Sequence, residues 1–268
     1  MNKIILTCVS MVVAGCGGAV DQTGTGNGGG STPSPVPSSQ STTLEAPAVL
    51  PVSISGFAHA SDGSALGGVE VCLQAGPTIA MNIGTCATSG PGGAWTVSDV
   101  PANEDVTLAL KKQGFAPMLR AVQTLTDDIA MPTEENVLVP AADGRSFMGT
   151  PTDTKKGQIA FFSTGQDDVS VKLFGFDREG AEPIYLDRDG KPVGATVTTG
   201  SRGGFVGLPT GVYMLQFSRP SARCMADTTG LHGYPAITFP DSTLPTIIVP
   251  VVEGYVTGPV GAVCTTTR

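Results

Sequence analysis

Residues 198–217 read Thr-Thr-Gly-Ser-Arg-Gly-Gly-Phe-Val-Gly-Leu-Pro-Thr-Gly-Val-Tyr-Met-Leu-Gln-Phe. The order is strand, glycine turn, short strand, proline turn, long strand. Gly203 and Gly204 are expected to take the positive φ of a tight turn. Pro209 fixes one φ of the next turn, and Gly211 releases the chain into a strand at Val212–Phe217. An echo lies near residue 90, where Thr88-Ser-Gly-Pro-Gly-Gly-Ala-Trp-Thr-Val97 repeats the threonine, the glycine pair and the following aromatic. Asp99-Val-Pro-Ala-Asn-Glu-Asp105 then takes the place of Leu208-Pro-Thr-Gly211, and Val106–Leu110 is the long strand. Two copies of one hairpin predict two copies of one small β domain.

The rest of the composition agrees. Of 268 residues, 36 are glycine and 21 proline, and only 14% are charged, which favours short strands and turns over helices. The formal net charge is −8, with no cluster of Lys or Arg. Such a chain is a poor partner for nucleic acid and has no polybasic patch for anionic lipid.

Residues 1–15 form a secretory signal: Lys3, an apolar run and a small-residue exit, too short to span a bilayer. Its end, Val13-Ala14-Gly15-Cys16, resembles the bacterial lipobox. That resemblance implies cleavage before Cys16, a diacylglycerol on its sulfur, and lipid anchorage in the membrane. The other reading is an ordinary secretory signal cut near Gly18–Ala19. Gly17 rather than Asp after the cysteine implies, by the same resemblance, the outer membrane. Residues 16–48 are rich in Gly, Ser, Thr and Pro and have almost nothing to bury. They are expected to be a disordered tether with a reach of about 30 Å.

Cys8 leaves with the signal and Cys16 is the lipid site. Cys72, Cys86, Cys224 and Cys264 remain, an even number for an oxidising compartment. Of the three pairings, Cys72–Cys86 with Cys224–Cys264 keeps each bridge inside one predicted domain. The sequence has no Cys-x-x-Cys, and its two histidines, His59 and His232, are far apart, so no metal site is expected.

The first domain is assigned to residues 49–140, a connector to 141–156, and the second domain to 157–268. Val69, Val71 and Leu73 alternate with Glu70, Cys72 and Gln74, the pattern of a half-buried strand with Cys72 on its outer face. Thr133-Glu134-Glu135 can open a short helix, which Pro140 limits. Asn136–Val139, Lys156–Phe162, Pro183–Leu186, Val193–Thr199 and Thr246–Val252 are further predicted strands; Pro250 makes the last an edge or breaks it.

Gly56-Phe-Ala-His59, Asp62-Gly-Ser-Ala-Leu-Gly-Gly-Val-Glu-Val71, Thr88 with Gly92-Gly-Ala-Trp95, Val100-Pro101 and Gly114-Phe115 together resemble the carboxypeptidase regulatory-like domain. Pro91, and Asn103-Glu-Asp105 in place of Gly-Tyr, depart from that pattern. The resemblance implies a transthyretin-like sandwich for about 70 residues. The expected architecture is therefore all-β: two small transthyretin-like or Ig-like antiparallel β-sandwiches behind a tether. The family name imports no peptidase activity, because in metallocarboxypeptidases this domain is an appendage to a separate zinc domain.

No Gly-x-Ser-x-Gly, Ser-x-x-Lys or His-Glu-x-x-His occurs. A hydrolase would have to use His232 with Asp227 or Asp241. Asp187-x-Asp189-Gly190 has alternate carboxylates that suit a hard cation, but Asp-Gly between strands is first a hairpin turn. Trp95 is expected in the core rather than stacked on a sugar. The remaining acids of the loops, Asp127-Asp128 among them, are expected to be solvated. The reading that follows is a non-enzymatic lipoprotein of the outer membrane with no cofactor, presenting sandwiches to an envelope protein or a glycan. The alternatives are a structural spacer and the small hydrolase just named.

Overall fold

The computed structural model describes residues 50–76, 79–132, 137–138, 140, 153, 155–164, 168–175, 181–187, 189–193, 199–220, 222–227, 234, 236–237 and 244–266. These residues form strands and turns, with no helix among them: the fold is all-β. The first nine strands are β1 (Val52–Phe57), β2 (His59–Ala60), β3 (Glu70–Gly76), β4 (Ile79–Thr88), β5 (Ala94–Val100), β6 (Asp105–Lys111), β7 (Met118–Gln123), β8 (Ile129–Ala130) and β9 (Val137–Leu138). Strands β5-β1-β8 form one layer and β4-β3-β6-β7 the other. Alternate residues fill the space between: Val52 and Ile54, Val71 and Leu73, Trp95 and Val97, Val106, Leu108 and Leu110. Trp95 is thus a core residue, as expected.

The second set comprises β10 (Gly157–Thr164), β11 (Ser170–Gly175), β12 (Ile184–Tyr185), β13 (Arg202–Leu208), β14 (Gly211–Ser218), β15 (Ala222–Ala226), β16 (Ala236–Ile237), β17 (Thr246–Val251) and β18 (Val256–Thr266). Its pairing repeats that of the first set. Strand β1 lies antiparallel to β5 and parallel to β8; β10 lies antiparallel to β13 and parallel to β18. Strand β6 joins β3 to β7 as β14 joins β11 to β17. Even the register shift recurs, between Val52 and Ile54 and between Gly157 and Ile159. The Ser89 N–H donates to the Val69 carbonyl, and the Gly200 N–H to that of Val169. Pro250 stays within β17, beyond the two residues that β16 covers.

The register corrects one expectation. Gly203 and Gly204 make no turn; they lie inside β13, opposite Phe161 and Ala160, and neither has a positive φ. Gly93 does sit in a turn, with φ 82°, where a Cβ would strike the Ala58 carbonyl oxygen. Val100 and Leu208 are equivalent, and so are Val97 and Phe205; Trp95 therefore corresponds to Gly203. Pro101 and Pro209 align, but the two glycine pairs do not. After Pro209, the Tyr213 hydroxyl donates to the Pro209 carbonyl at 2.9 Å, closing the corner. The first sandwich has no tyrosine there. Instead the Thr124 hydroxyl donates to the Pro101 carbonyl at 2.7 Å and accepts from the Glu104 N–H at 2.9 Å.

Pro47–Arg268 forms one compact unit, because β7 of the first sandwich pairs in parallel with β18 of the second. Strands β12-β13-β10-β18-β7-β6-β3-β4 thereby make one sheet, with β15 also on β18. On β7, Met118 and Val122 face the first core, while Ala121, on the other side of the strand, belongs to the second. The two cores thus lie on opposite faces of the shared sheet. Ala109, Leu119, Val252 and Tyr255 form a small apolar cluster at the junction. Thr257 stands there in the place that Ile129 holds in the first sandwich, 1% exposed, with no hydrogen-bond partner for its hydroxyl among the described residues. A buried hydroxyl without a partner costs stability. Thr257→Val is therefore expected to raise the unfolding free energy by about 1 kcal/mol in urea denaturation; a loss of stability would mean that the hydroxyl has a partner.

Both disulfides join directly opposed residues of antiparallel strands, Cys72–Cys86 across β3 and β4 and Cys224–Cys264 across β15 and β18. Each bridge lies within one sandwich. Cys72 faces away from Val71 and Leu73, as its alternation requires, yet it is 0% exposed. The polar phase of β3 thus does not meet solvent there. Gln74 and Ala109 on the same face are buried too, and Val252 and Tyr255 of the second sandwich pack on Ala109.

Candidate functional site

A shallow groove of about 350 Å³ lies at one end of the first sandwich, lined by Phe57, Ala58, His59, Gly63, Ala65 and Gly92. Strand β1 positions it. Val52 and Ile54 point into the core, so Phe57, three residues on, falls on the outward phase and is 54% exposed. The floor is made of small residues: a Cβ at Gly63 or Gly92 would meet open space. His59 borders it, its Nδ1 3.3 Å from the Phe57 carbonyl oxygen, with β2 paired to β9 behind it. Asp62 closes the neighbouring turn by accepting from the Ser64 hydroxyl at 2.6 Å and N–H at 2.9 Å, and these bonds hold its carboxyl below its ordinary pKa. An exposed phenyl ring beside an imidazole, over a floor of glycine and alanine, can bind a flat apolar surface and fix it with one polar contact. In the sequence Phe57 stands only within the motif Gly56-Phe-Ala-His59; its phase against Val52 and Ile54 is the signal of exposure.

The other candidates are not brought to this groove. Cys16, His232 and Asp241 lie outside the described residues, so the proposed lipid site and most of the hydrolase constellation have no structural account. Asp227 is buried beside β18, its N–H donating to the Gly261 carbonyl. The Asp187 carboxylate accepts from the N–H groups of Asp189 at 2.9 Å and Lys191 at 2.8 Å, and Gly190 has φ 77°. That geometry is a self-closed turn. Asp128 is not a free loop acid: it accepts from the Ser53 N–H at 2.7 Å. Asp168 pairs with Arg219. In the second core the Tyr185 hydroxyl accepts from the Val171 N–H at 3.0 Å, and burial raises its pKa above the ordinary phenol value. Among the described residues no group of three or more His, Cys, Asp or Glu side chains is placed to hold a metal ion, and no helix is long and apolar enough to cross a membrane.

No family model matches the chain, and no curated protein matches it. Among solved structures it is similar to the TIE protein of Bacillus anthracis, at 10% identity and a TM-score of 0.25, with 80% of this chain and 34% of that one covered. It is similar to a streptococcal ancillary pilin at 15% identity and a TM-score of 0.24, covering 79% of this chain and 62% of that one. The shaft pilin SpaA of Lactobacillus rhamnosus GG matches at 10% identity and a TM-score of 0.22, over 81% of this chain and 100% of that one. The chain thus spans about a third of the TIE protein and under two thirds of the ancillary pilin. The fold class rests on the strands and their pairing, not on these likenesses.

Proposed function

We propose that this chain is a lipoprotein of the bacterial outer membrane, held by lipid on Cys16, that presents two transthyretin-like sandwiches to an envelope protein or a glycan without catalysing a reaction. The observation that carries the reading is the run Val13-Ala14-Gly15-Cys16 at the end of an apolar segment, followed by residues 16–48 with almost nothing to bury. The groove around Phe57 supports binding, because an exposed aromatic on a rigid strand is a ready contact surface. The carboxypeptidase regulatory-like motifs of residues 56–115 support the choice of family. A spacer role is the second reading, favoured by the sheet that runs unbroken through both sandwiches.

Metabolic palmitate labelling tests the anchor: wild type is expected to carry label and Cys16→Ser none, and equal labelling of the two rejects it. Capture of envelope proteins and of arrayed glycans tests the presentation. Phe57→Ser is expected to weaken that capture at least about tenfold, since losing a central aromatic contact costs 2 kcal/mol or more. Capture that Phe57→Ser leaves unchanged rejects the groove, and no capture at all favours the spacer.

A further inference from the structure

We propose that Arg120 is a latch that fixes the second sandwich on the first. Arg120 lies on β7, on the same face as Met118 and Val122, opposite Leu108, and is 1% exposed. The equivalent position in the second sandwich, opposite Leu215 on β14, is held by Ile247, itself 2% exposed. The fold therefore accepts an aliphatic side chain at this point. Burying a guanidinium where an isoleucine suffices costs desolvation, and setting register or orientation is the best-attested use of such a residue.

The orientation it sets is that of β18. The β7–β18 ladder consists of two pairs, Met118 with Val256 and Leu119 with Thr257. The next residue, Gly258, has φ 128° and no room for a Cβ against the Ala160 carbonyl, and the register of β18 on β10 shifts between their Ile159 and Phe161 pairings. Strand β18 thus turns away from β7 where Arg120 begins. One guanidinium nitrogen of Arg120, Nη1, donates to the Pro259 carbonyl at 3.3 Å. It continues across the gap the contact that the backbone no longer makes. The bond joins a side chain rooted in the first core to the main chain of the second sandwich. At 3.3 Å the bond is long, but a charged donor buried at this point is costly to leave without its acceptor.

Native-state hydrogen exchange on the full secreted chain tests the latch, with Arg120→Met, Arg120→Lys and the control Ile247→Met. In Arg120→Met the amides of Leu119–Val122 and Val256–Val260 are expected to exchange about 10- to 100-fold faster. Those of β3 and β5 stay within about twofold of wild type. Arg120→Lys, which keeps a donor, falls between, and carries the test if Arg120→Met does not fold. Ile247→Met leaves the β7 amides unchanged. Even acceleration across the first sandwich would make Arg120 an ordinary core residue and overturn the proposal. Unchanged protection of Val256–Val260 would overturn it as well.

Discussion

Replacing Cys224 and Cys264 together by alanine is expected to remove about 4 kcal/mol of stability, and replacing Cys72 and Cys86 about 3 kcal/mol. The chain-entropy difference follows from the loops: the first bridge closes a separation of 40 residues, the second one of 14. Packing adds to the gap. Cys224 and Cys264 are members of the second core, whereas the Cys72 bridge lies on the face turned away from the first core. Trp95 is the only tryptophan and sits in the first core, so its fluorescence reports that sandwich while circular dichroism reports both. In urea, loss of Cys224–Cys264 should lower the dichroism midpoint more than the fluorescence midpoint. Loss of Cys72–Cys86 should do the reverse. Equal shifts of both probes in both variants would show that the shared sheet melts as one.

The alternation of Val69, Val71 and Leu73 was legible because each strand meets its core on one side, and the pairing of the cysteines followed from where the repeats divide. Local chemistry settles such features. The misreadings share a cause that local chemistry cannot supply. Gly203-Gly204 looks like a turn, yet Gly203 is glycine because Ile184 of β12 and the Phe161 ring leave no room for a Cβ. The outer face of β3 looks solvated, yet the turn at Val252–Tyr255 packs beside it. Nothing in the sequence marks Arg120; its guanidinium contact with the second sandwich is to a carbonyl 139 residues away. The groove around Phe57 needs the turns at Gly63 and Gly92 to be brought to the end of β1, which no spacing discloses.

Phe161→Ala is expected to cost about 3–5 kcal/mol in urea denaturation, a large fraction of the stability of such a unit. Phe161 is 3% exposed, and its ring lies 5.7 Å from those of Tyr185 and Phe205 and 6.1 Å from that of Phe217, the first and last edge-on. Rigid rings on three sides do not collapse into the space it would leave. The opposing residue cannot fill it either. In the first sandwich the corresponding pair is Gly56 with Trp95, so glycine and aromatic have exchanged strands between the repeats. The reason is β12. Strand β5 is an outer strand of its sheet and leaves room for the indole, but β13 carries β12 on its far side. A Cβ at Gly203 would strike the Ile184 carbonyl and lie 2.8 Å from Phe161 Cζ. At this pair the aromatic must therefore come from β10. Phe161→Leu, which keeps most of the volume, should cost about 1–1.5 kcal/mol. A Phe161→Ala loss below that figure would mean that the surrounding rings close over the cavity, and that the exchange between strands has little bearing on stability.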